Sequence, residues 1–295
     1  MVWHGSRVLV TGASGFIGSR LTGRLRELGA AVHPVGRTPA GPGWHLADLR
    51  DAEAVERLVR EVAPDVVFHL ASAVTGTREP AMVLPIMQAN LTSVVNLLTA
   101  VQCRPGTRVV LAGSIEEPRT GEPSPSSPYA VAKWAAEGYA RLYHHLWQVR
   151  VCNLRIAMVY GPGQRDMTKL LPYVTTALLR GERPRLTSGT RLLDWVYVDD
   201  VVEAFLAAAE SEHSSGKSFE IGSGKATSIR DTVAMVARII ERPFLADFGA
   251  LPERPLDSAR IADLSQAHEL LKWTPNTELE QGLRNTITWF LERSR

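Results

Sequence analysis

The chain has 295 residues, 45% of them hydrophobic and 22% charged, with 33 Lys and Arg against 31 Asp and Glu. That is enough apolar material for one large domain or two small ones. The scattered, nearly balanced charge shows no basic stripe and argues against a nucleic-acid partner. The absence of any run of about 18 apolar residues predicts no membrane span, and the opening residues do not read as a secretory signal. Cys103 and Cys152, the only two cysteines, sit in apolar contexts. They are expected as buried free thiols in a reducing, cytoplasmic compartment. The eight histidines form no HxxxH or HExxH pattern, so no metal site is expected.

In chain order, Arg7 to Thr11 reads as a strand and Ile17 to Leu28 as a helix that stops near Gly29. Ala31 to Val35 is a second strand. Asp51 to Val62 is a helix with Val55, Leu58, Val59 and Val62 at helical spacing. Asp65 to Leu70 is a strand, Met82 to Gln102 a long helix, and Arg108 to Ala112 a strand. Pro128 to Trp147 is another long helix, followed by a strand over Val149 to Ile156. Strands alternating with helices predict right-handed βαβ units and a doubly wound parallel α/β sheet of the Rossmann type. Residues 1–160 are expected to form this dinucleotide-binding domain and 161–295 mainly a smaller, interleaved substrate-binding region. Asp194 to Ala209 reads as a strand and helix returning to the sheet.

Thr11-Gly12-Ala13-Ser14-Gly15-Phe16-Ile17-Gly18 joins the first strand to the first helix. Gly12 permits a tight turn, Gly15 lets backbone approach a pyrophosphate, and Gly18 lets helix and strand pack closely. The helix N-terminus offers N–H donors and a positive dipole to phosphate. With this GxxGxxG spacing the sequence resembles the extended branch of the short-chain dehydrogenase/reductase superfamily. The resemblance runs through Asp48-Leu49, His69-Leu70-Ala71-Ser72, Asn90, Tyr129-Ala130-Val131-Ala132-Lys133 and Val159-Tyr160-Gly161-Pro162-Gly163. It continues with Val196-Tyr197-Val198-Asp199-Asp200 and Trp273-Thr274-Pro275. It implies that Asp48 and Leu49 lie by the adenine and that Leu70, Ala71, Ser72 and Asn90 line the cofactor path.

An acid at the end of the second strand would hold the ribose 2′-hydroxyl of NAD, whereas a base accommodates the 2′-phosphate of NADP. Here Gly36-Arg37 stands in that place. Arg37 can pair with a phosphate, so NADP(H) is expected over NAD(H). The alternative is that Arg37 is a surface loop residue.

Tyr129 and Lys133 are four apart in a predicted helix and share a face. A neighbouring ammonium favours the phenolate, so the pair suits proton transfer at a carbonyl or hydroxyl oxygen. Ser114 stands at the carboxyl end of a strand, where ligands bind in open α/β sheets, and would orient the substrate oxygen. Two readings stand for Glu116. The resemblance to dehydratases implies an acid that moves protons at the sugar; otherwise Glu116, like Glu117, faces solvent or caps a loop.

On the substrate side, the resemblance implies an Asn before the Tyr-Gly-Pro motif and two arginines for a nucleotide pyrophosphate. Met158 replaces the Asn, and Leu193 stands where an Arg is usual. Arg191, Lys169 and Arg254 are the candidate cations, with Met158 in the same site. The expected activity is NADP(H)-dependent reduction of a keto group on a nucleotide-linked deoxysugar. Alternatives are a nucleotide-sugar epimerase or 4,6-dehydratase that recycles its cofactor, with Glu116 as acid/base, and a redox-sensing dinucleotide-binding protein. Relatives of this kind pair their long helices across a two-fold axis, which implies a homodimer.

Overall fold

The computed structural model describes residues 3–38, 41–118, 124–242, 246–253, 256 and 258–293. The first elements are β1 (Arg7–Thr11), α1 (Phe16–Glu27), β2 (Ala31–Gly36), β3 (His45–Leu46), α2 (Ala52–Val62) and β4 (Val66–His69). Then come α3 (Val83–Met87), a π turn (Gln88–Thr92), α4 (Ser93–Gln102), β5 (Arg108–Ser114), α5 (Pro128–Trp147) and β6 (Arg150–Ile156). Asp51 caps α2, its carboxylate accepting from the N–H groups of Glu53 and Ala54, as a helix start requires. Val55, Leu58, Val59 and Val62 bury one face of α2. Burying each is worth about 1.5–3 kcal/mol, which outweighs the few tenths that valine costs in a helix.

The remaining elements are β7 (Met158–Tyr160), α6 (Leu170–Leu179), β8 (Arg185–Leu186), β9 (Leu192–Tyr197), α7 (Val198–Glu210), β10 (Ser218–Ile221), β11 (Ala226–Ser228), α8 (Ile229–Ile239), β12 (Asp247–Phe248) and α9 (Leu279–Arg293). A seven-stranded sheet has the order β10-β6-β5-β4-β1-β2-β3, and the pairs from β6 to β3 are parallel. Its apolar strands are covered by α2, α4 and α5 through Val55, Leu97, Leu98, Val101 and Ala136. A parallel sheet must be covered in this way because both its faces are apolar.

The chain divides into two compact units. The first comprises residues 1–156, 202–220 and 265–273, and the second 157–201, 221–264 and 274–295. The segment expected to rejoin the sheet is divided: from Val202 on, α7 belongs to the first unit, but its strand does not. β9 pairs with β7 and β11 in a separate three-stranded sheet, and β10 adds to the large sheet instead. The reason is tertiary. Asp194 is committed within the second unit, its carboxylate accepting from the N–H groups of Ser223, Gly224 and Ala262 at 2.6, 3.1 and 3.0 Å. The core of the second unit is aromatic, with the Tyr160 ring edge-on to Trp195 and Tyr197 at 5.9 and 5.7 Å between centroids.

One further expectation needs correction. Cys103 is exposed, and only Cys152 is buried. Cys103 follows the last turn of α4, past the buried stripe that ends at Val101. The Pro80–Gln102 stretch, with mean hydropathy 1.5 over 18 residues, is long and apolar enough to cross a membrane by length and composition. Its uncharged polar residues break every apolar run in the sequence. In the fold, Val94, Leu97, Leu98 and Val101 pack into the core of the first unit.

Candidate active site

The glycine loop closes β1 onto α1. Gly12 has φ +67, and a Cβ there would lie 2.7 Å from the Ala71 nitrogen. Only glycine lets this turn press against the end of β4. The N–H of Gly15 donates to the Gly12 carbonyl at 2.9 Å. Gly15 is the N-cap of α1, with no side-chain cap and no acid in the first turn. Ser14 and Gly15 are exposed, Phe16 and Ile17 half-buried, and Gly18 is buried against the turn. An open, uncapped helix start of this kind fits the pyrophosphate of a dinucleotide.

At the far side of β1, β2 ends on Gly36, packed under the Trp44 ring, and Arg37 is exposed. Arg50 grips Asp48 in a fork at 2.9 and 2.5 Å. That bond, assisted by Arg37, holds the Asp48 carboxyl down at about 2. Asp48, Arg50, Asp51, Met87, Gln88 and Thr92 border an open depression of about 420 Å³. Leu49 is half-buried against the core.

A buried chain of polar groups sits under the loop after β4. Thr11 Oγ1 accepts from the Ala71 N–H at 3.2 Å and contacts His69 Nδ1 at 3.0 Å. Ser93 Oγ donates to the Ala89 carbonyl at 2.7 Å and lies 3.5 Å from His69 Nε2. The Ser93 hydroxyl, having donated its proton, accepts from Nε2–H. Nδ1 is then the acceptor for Thr11, and His69 is neutral. Burial, with Lys133 nearby, pulls the imidazole down to about 3.

α5 begins at Ser127, whose hydroxyl accepts from the Ala130 N–H at 3.1 Å, followed by Pro128 in the first turn. This start fixes Tyr129 and Lys133 on the buried face. The hydroxyls of Ser114 and Ser72 neighbour the Tyr129 phenol and favour its ionised form. Lys133 Nζ donates to the Ala112 carbonyl at 2.6 Å and lies 5.8 Å from the Tyr129 ring centroid. Burial pushes the phenol above its ordinary range; the neighbouring Ser114 hydroxyl opposes this and the charge of Glu116 adds to it. Burial also lowers the Lys133 ammonium to about 8. The expected triad of Ser114, Tyr129 and Lys133 is thus brought together, joined by Ser72. Glu116 is half-buried beside it, its N–H donating to Ser114 Oγ at 3.2 Å.

The remaining expected residues lie as follows. Leu70 and Ala71 are half-buried at the end of β4. Asn90, in the π turn, spends its amide on Ser72 and Ala73 rather than on open space. In the second unit, Met158 packs against the apolar cluster around Tyr160. Lys169 is the half-buried N-cap of α6, and Arg191 is half-buried ahead of β9. Arg254 lies outside the described residues.

Glu117 is the residue that sequence reasoning missed. It is 1% exposed, and its carboxyl accepts from the Ser114 N–H at 2.7 Å. Glu137, Asn153 and Arg155 surround it. The spacing carries a signal for Glu137, which continues the Tyr129–Lys133 interval by four more residues on the same helix face. No local signal marks Glu117, because the packing partner that buries it comes from β6.

The profile of the NAD dependent epimerase/dehydratase family matches residues 8–222. The UDP-glucose 4-epimerase of Mycolicibacterium smegmatis is 30% identical over 98% of this chain and 100% of its own length. The solved structure of UDP-glucose 4-epimerase from Thermotoga maritima, with UDP-glucose, superposes with a TM-score of 0.88 at 28% identity, over 98% of this chain and 99% of that one. MoeE5 in complex with UDP-glucuronic acid and NAD does so with a TM-score of 0.86 at 32% identity, over 98% and 99%. By its sequence, its sheet order and the Ser114–Tyr129–Lys133 grouping, the chain belongs to the NAD dependent epimerase/dehydratase family, within the extended short-chain dehydrogenase/reductase group.

Proposed function

We propose that the protein is a UDP-sugar 4-epimerase acting on a UDP-hexose or UDP-hexuronate and retaining NAD through turnover. The observation that carries this reading is the buried grouping of Ser114, Tyr129 and Lys133, with Lys133 Nζ held on the Ala112 carbonyl at 2.6 Å and 5.8 Å from the Tyr129 ring centroid, in a chain alike to 4-epimerases along nearly its whole length. Similarity over nearly the whole of this chain to such enzymes favours this activity over the ketoreductase expected from sequence. NAD in the related structures supports NAD rather than the NADP(H) expected from Arg37 alone.

When bound, the dinucleotide would supply acceptance and return of a hydride. The chain's own groups manage the proton. Tyr129 takes it from the sugar 4-hydroxyl and gives it back after the sugar has presented its other face. Ser114 holds the same oxygen. Lys133 offsets part of the cost of a buried phenolate, which needs a positive neighbour because desolvation opposes it. Lys169 and Arg191 are proposed as cations for the UDP pyrophosphate. Apolar residues left exposed on α3 and α5, including Leu84, Trp134 and Leu146, support a homodimer.

The test is stoichiometric. Purified protein without added cofactor should interconvert UDP-glucose with UDP-galactose, or UDP-glucuronate with UDP-galacturonate, with no net change in nicotinamide absorbance. Acid release should yield NAD. Net NADPH consumption on a nucleotide keto-sugar, without interconversion, would restore the ketoreductase reading.

A further inference from the structure

Behind Ser114 lies a buried cluster that the catalytic grouping does not use. Glu117 Oε1 accepts from the Ser114 N–H at 2.7 Å, and the Glu117 N–H donates to the Ser114 carbonyl at 3.1 Å, so the two residues close a tight turn at the end of β5. Arg155 Nε lies 2.7 Å from Glu137 Oε2 and 3.3 Å from Glu117 Oε2. Asn153 Nδ2 reaches both carboxyls, at 3.3 Å to Glu117 Oε2 and to Glu137 Oε2. A Cβ on Gly113 would lie 2.6 Å from Glu117 Oε1, so the glycine before Ser114 is what lets the carboxyl slip under the strand.

Two carboxyls facing one guanidinium cannot both be ionised cheaply in a buried site. We propose that Glu117 is a positioning residue that works in its protonated form. It donates its proton to Glu137 and, through its other oxygen, holds the Ser114 backbone so that the Ser114 hydroxyl meets Tyr129. Direction and cause agree. Burial and the bond to Glu137 push Glu117 up. In Glu137, burial is outweighed by the bonds from Glu117 and Arg155, and the carboxyl goes down. The other charged groups facing the cluster are Lys133 and Tyr129 on α5, Glu116 in the turn, and Glu220 on β10. As pH rises through the raised Glu117 value, a second negative charge forms beside Glu137. The turn then loosens, and stability that was present at lower pH is lost.

This rests on the 4-epimerase reading only for its kinetic arm. Glu117→Leu removes the acceptor for the Ser114 N–H. Glu117→Gln imitates the protonated acid, because its oxygen accepts from Ser114 and its amide donates to Glu137. With UDP-glucose, Glu117→Leu should lower kcat about 10–100-fold, the cost of a misplaced group, with KM within about twofold. Glu117→Gln should recover most of that loss and extend the alkaline limb of the kcat profile beyond wild type. The structural arm needs no turnover. In protein carrying isotope-labelled serine, the Ser114 amide resonance, assigned by its loss in Ser114→Ala, should titrate with alkaline pH in wild type. It should stay fixed in Glu117→Gln and move in Glu117→Leu. Wild-type kcat and an unmoved resonance in Glu117→Leu would overturn the proposal, as would Glu117→Gln failing like Glu117→Leu. A titrating resonance in a wild type with no epimerase turnover would sustain the positioning role and refute the activity.

Discussion

The amide of Asn90 holds Ser72. Its Oδ1 accepts from the Ser72 hydroxyl at 2.6 Å and from the Ala73 N–H at 3.0 Å, while its Nδ2 donates to the Ala73 carbonyl at 3.2 Å. Ser72 in turn neighbours the Tyr129 hydroxyl. Asn90 therefore acts on the site through a neighbour. Asn90→Leu should leave the Ser72 hydroxyl and the Ala73 N–H without their acceptor. Each buried group left unpaired costs about 1–3 kcal/mol. Urea denaturation should show the loss, and a variant as stable as wild type would contradict that role.

Tyr129→Phe keeps the ring and removes the hydroxyl. Turnover should fall about 10²–10⁴-fold, the worth of a positioned acid or base. NAD content should be unchanged, because the glycine loop is untouched. Full activity in this variant would refute the mechanism.

Glu116→Gln gives a pH test. The negative charge of Glu116 raises the Tyr129 phenol, so neutralising it lowers that value. Tyr129 must be the phenolate to take the sugar proton, and the acid limb of kcat/KM should move to lower pH. A 4-epimerase that removes and returns hydride needs no proton at carbon, so the maximal rate should change little. Near-abolition of turnover with cofactor binding intact would favour dehydratase chemistry.

His69 makes the first unit sensitive to acid. Burial holds its folded value at about 3 against an ordinary 6.5. Below 6.5 the unfolded chain binds the proton more readily than the folded one. The stabilising contribution is therefore complete above 6.5 and is lost as pH falls toward 3, at about 1.4 kcal/mol for each unit. Glu117 acts with the opposite sign, so the informative comparison is His69→Gln against wild type. The variant's denaturation midpoint should fall less between neutral and acid pH. Equal slopes would show that His69 is not the titrating group.

Exposed Leu84 and Trp134, at 64% and 47% of their surface, underlie the proposed homodimer. Light scattering should give twice the chain mass at micromolar concentration. Leu84→Arg combined with Trp134→Glu should give a monomer that retains the near-ultraviolet signal of the native fold. A wild-type monomer would refute the assembly.

Local chemistry made much of this legible. Strand β1, the capped start of α5 and the Tyr129–Lys133 pair follow from spacing and from Ser127-Pro128. Three features do not. The π turn at Gln88–Thr92 inserts no unusual residue, and its reason is tertiary, namely the bonds from Asn90 to Ser72 and Ala73. The burial of Glu117 depends on Asn153 and Arg155, more than thirty positions away. The strand around Asp194 has the pattern of a central strand, but its partners are fixed by Ser223 and Ala262, which no local rule connects to it.

The division into two units has a consequence for how the molecule is made. The first unit takes its last piece from Ser265–Trp273, after most of the second unit has been translated. Neither unit is complete until nearly the whole chain has left the ribosome, and β10 must wait for residues past 217 to pair with β6. Pairings of such long sequence separation close slowly. No single proteolytic cut or gene truncation can therefore release the first unit intact and by itself.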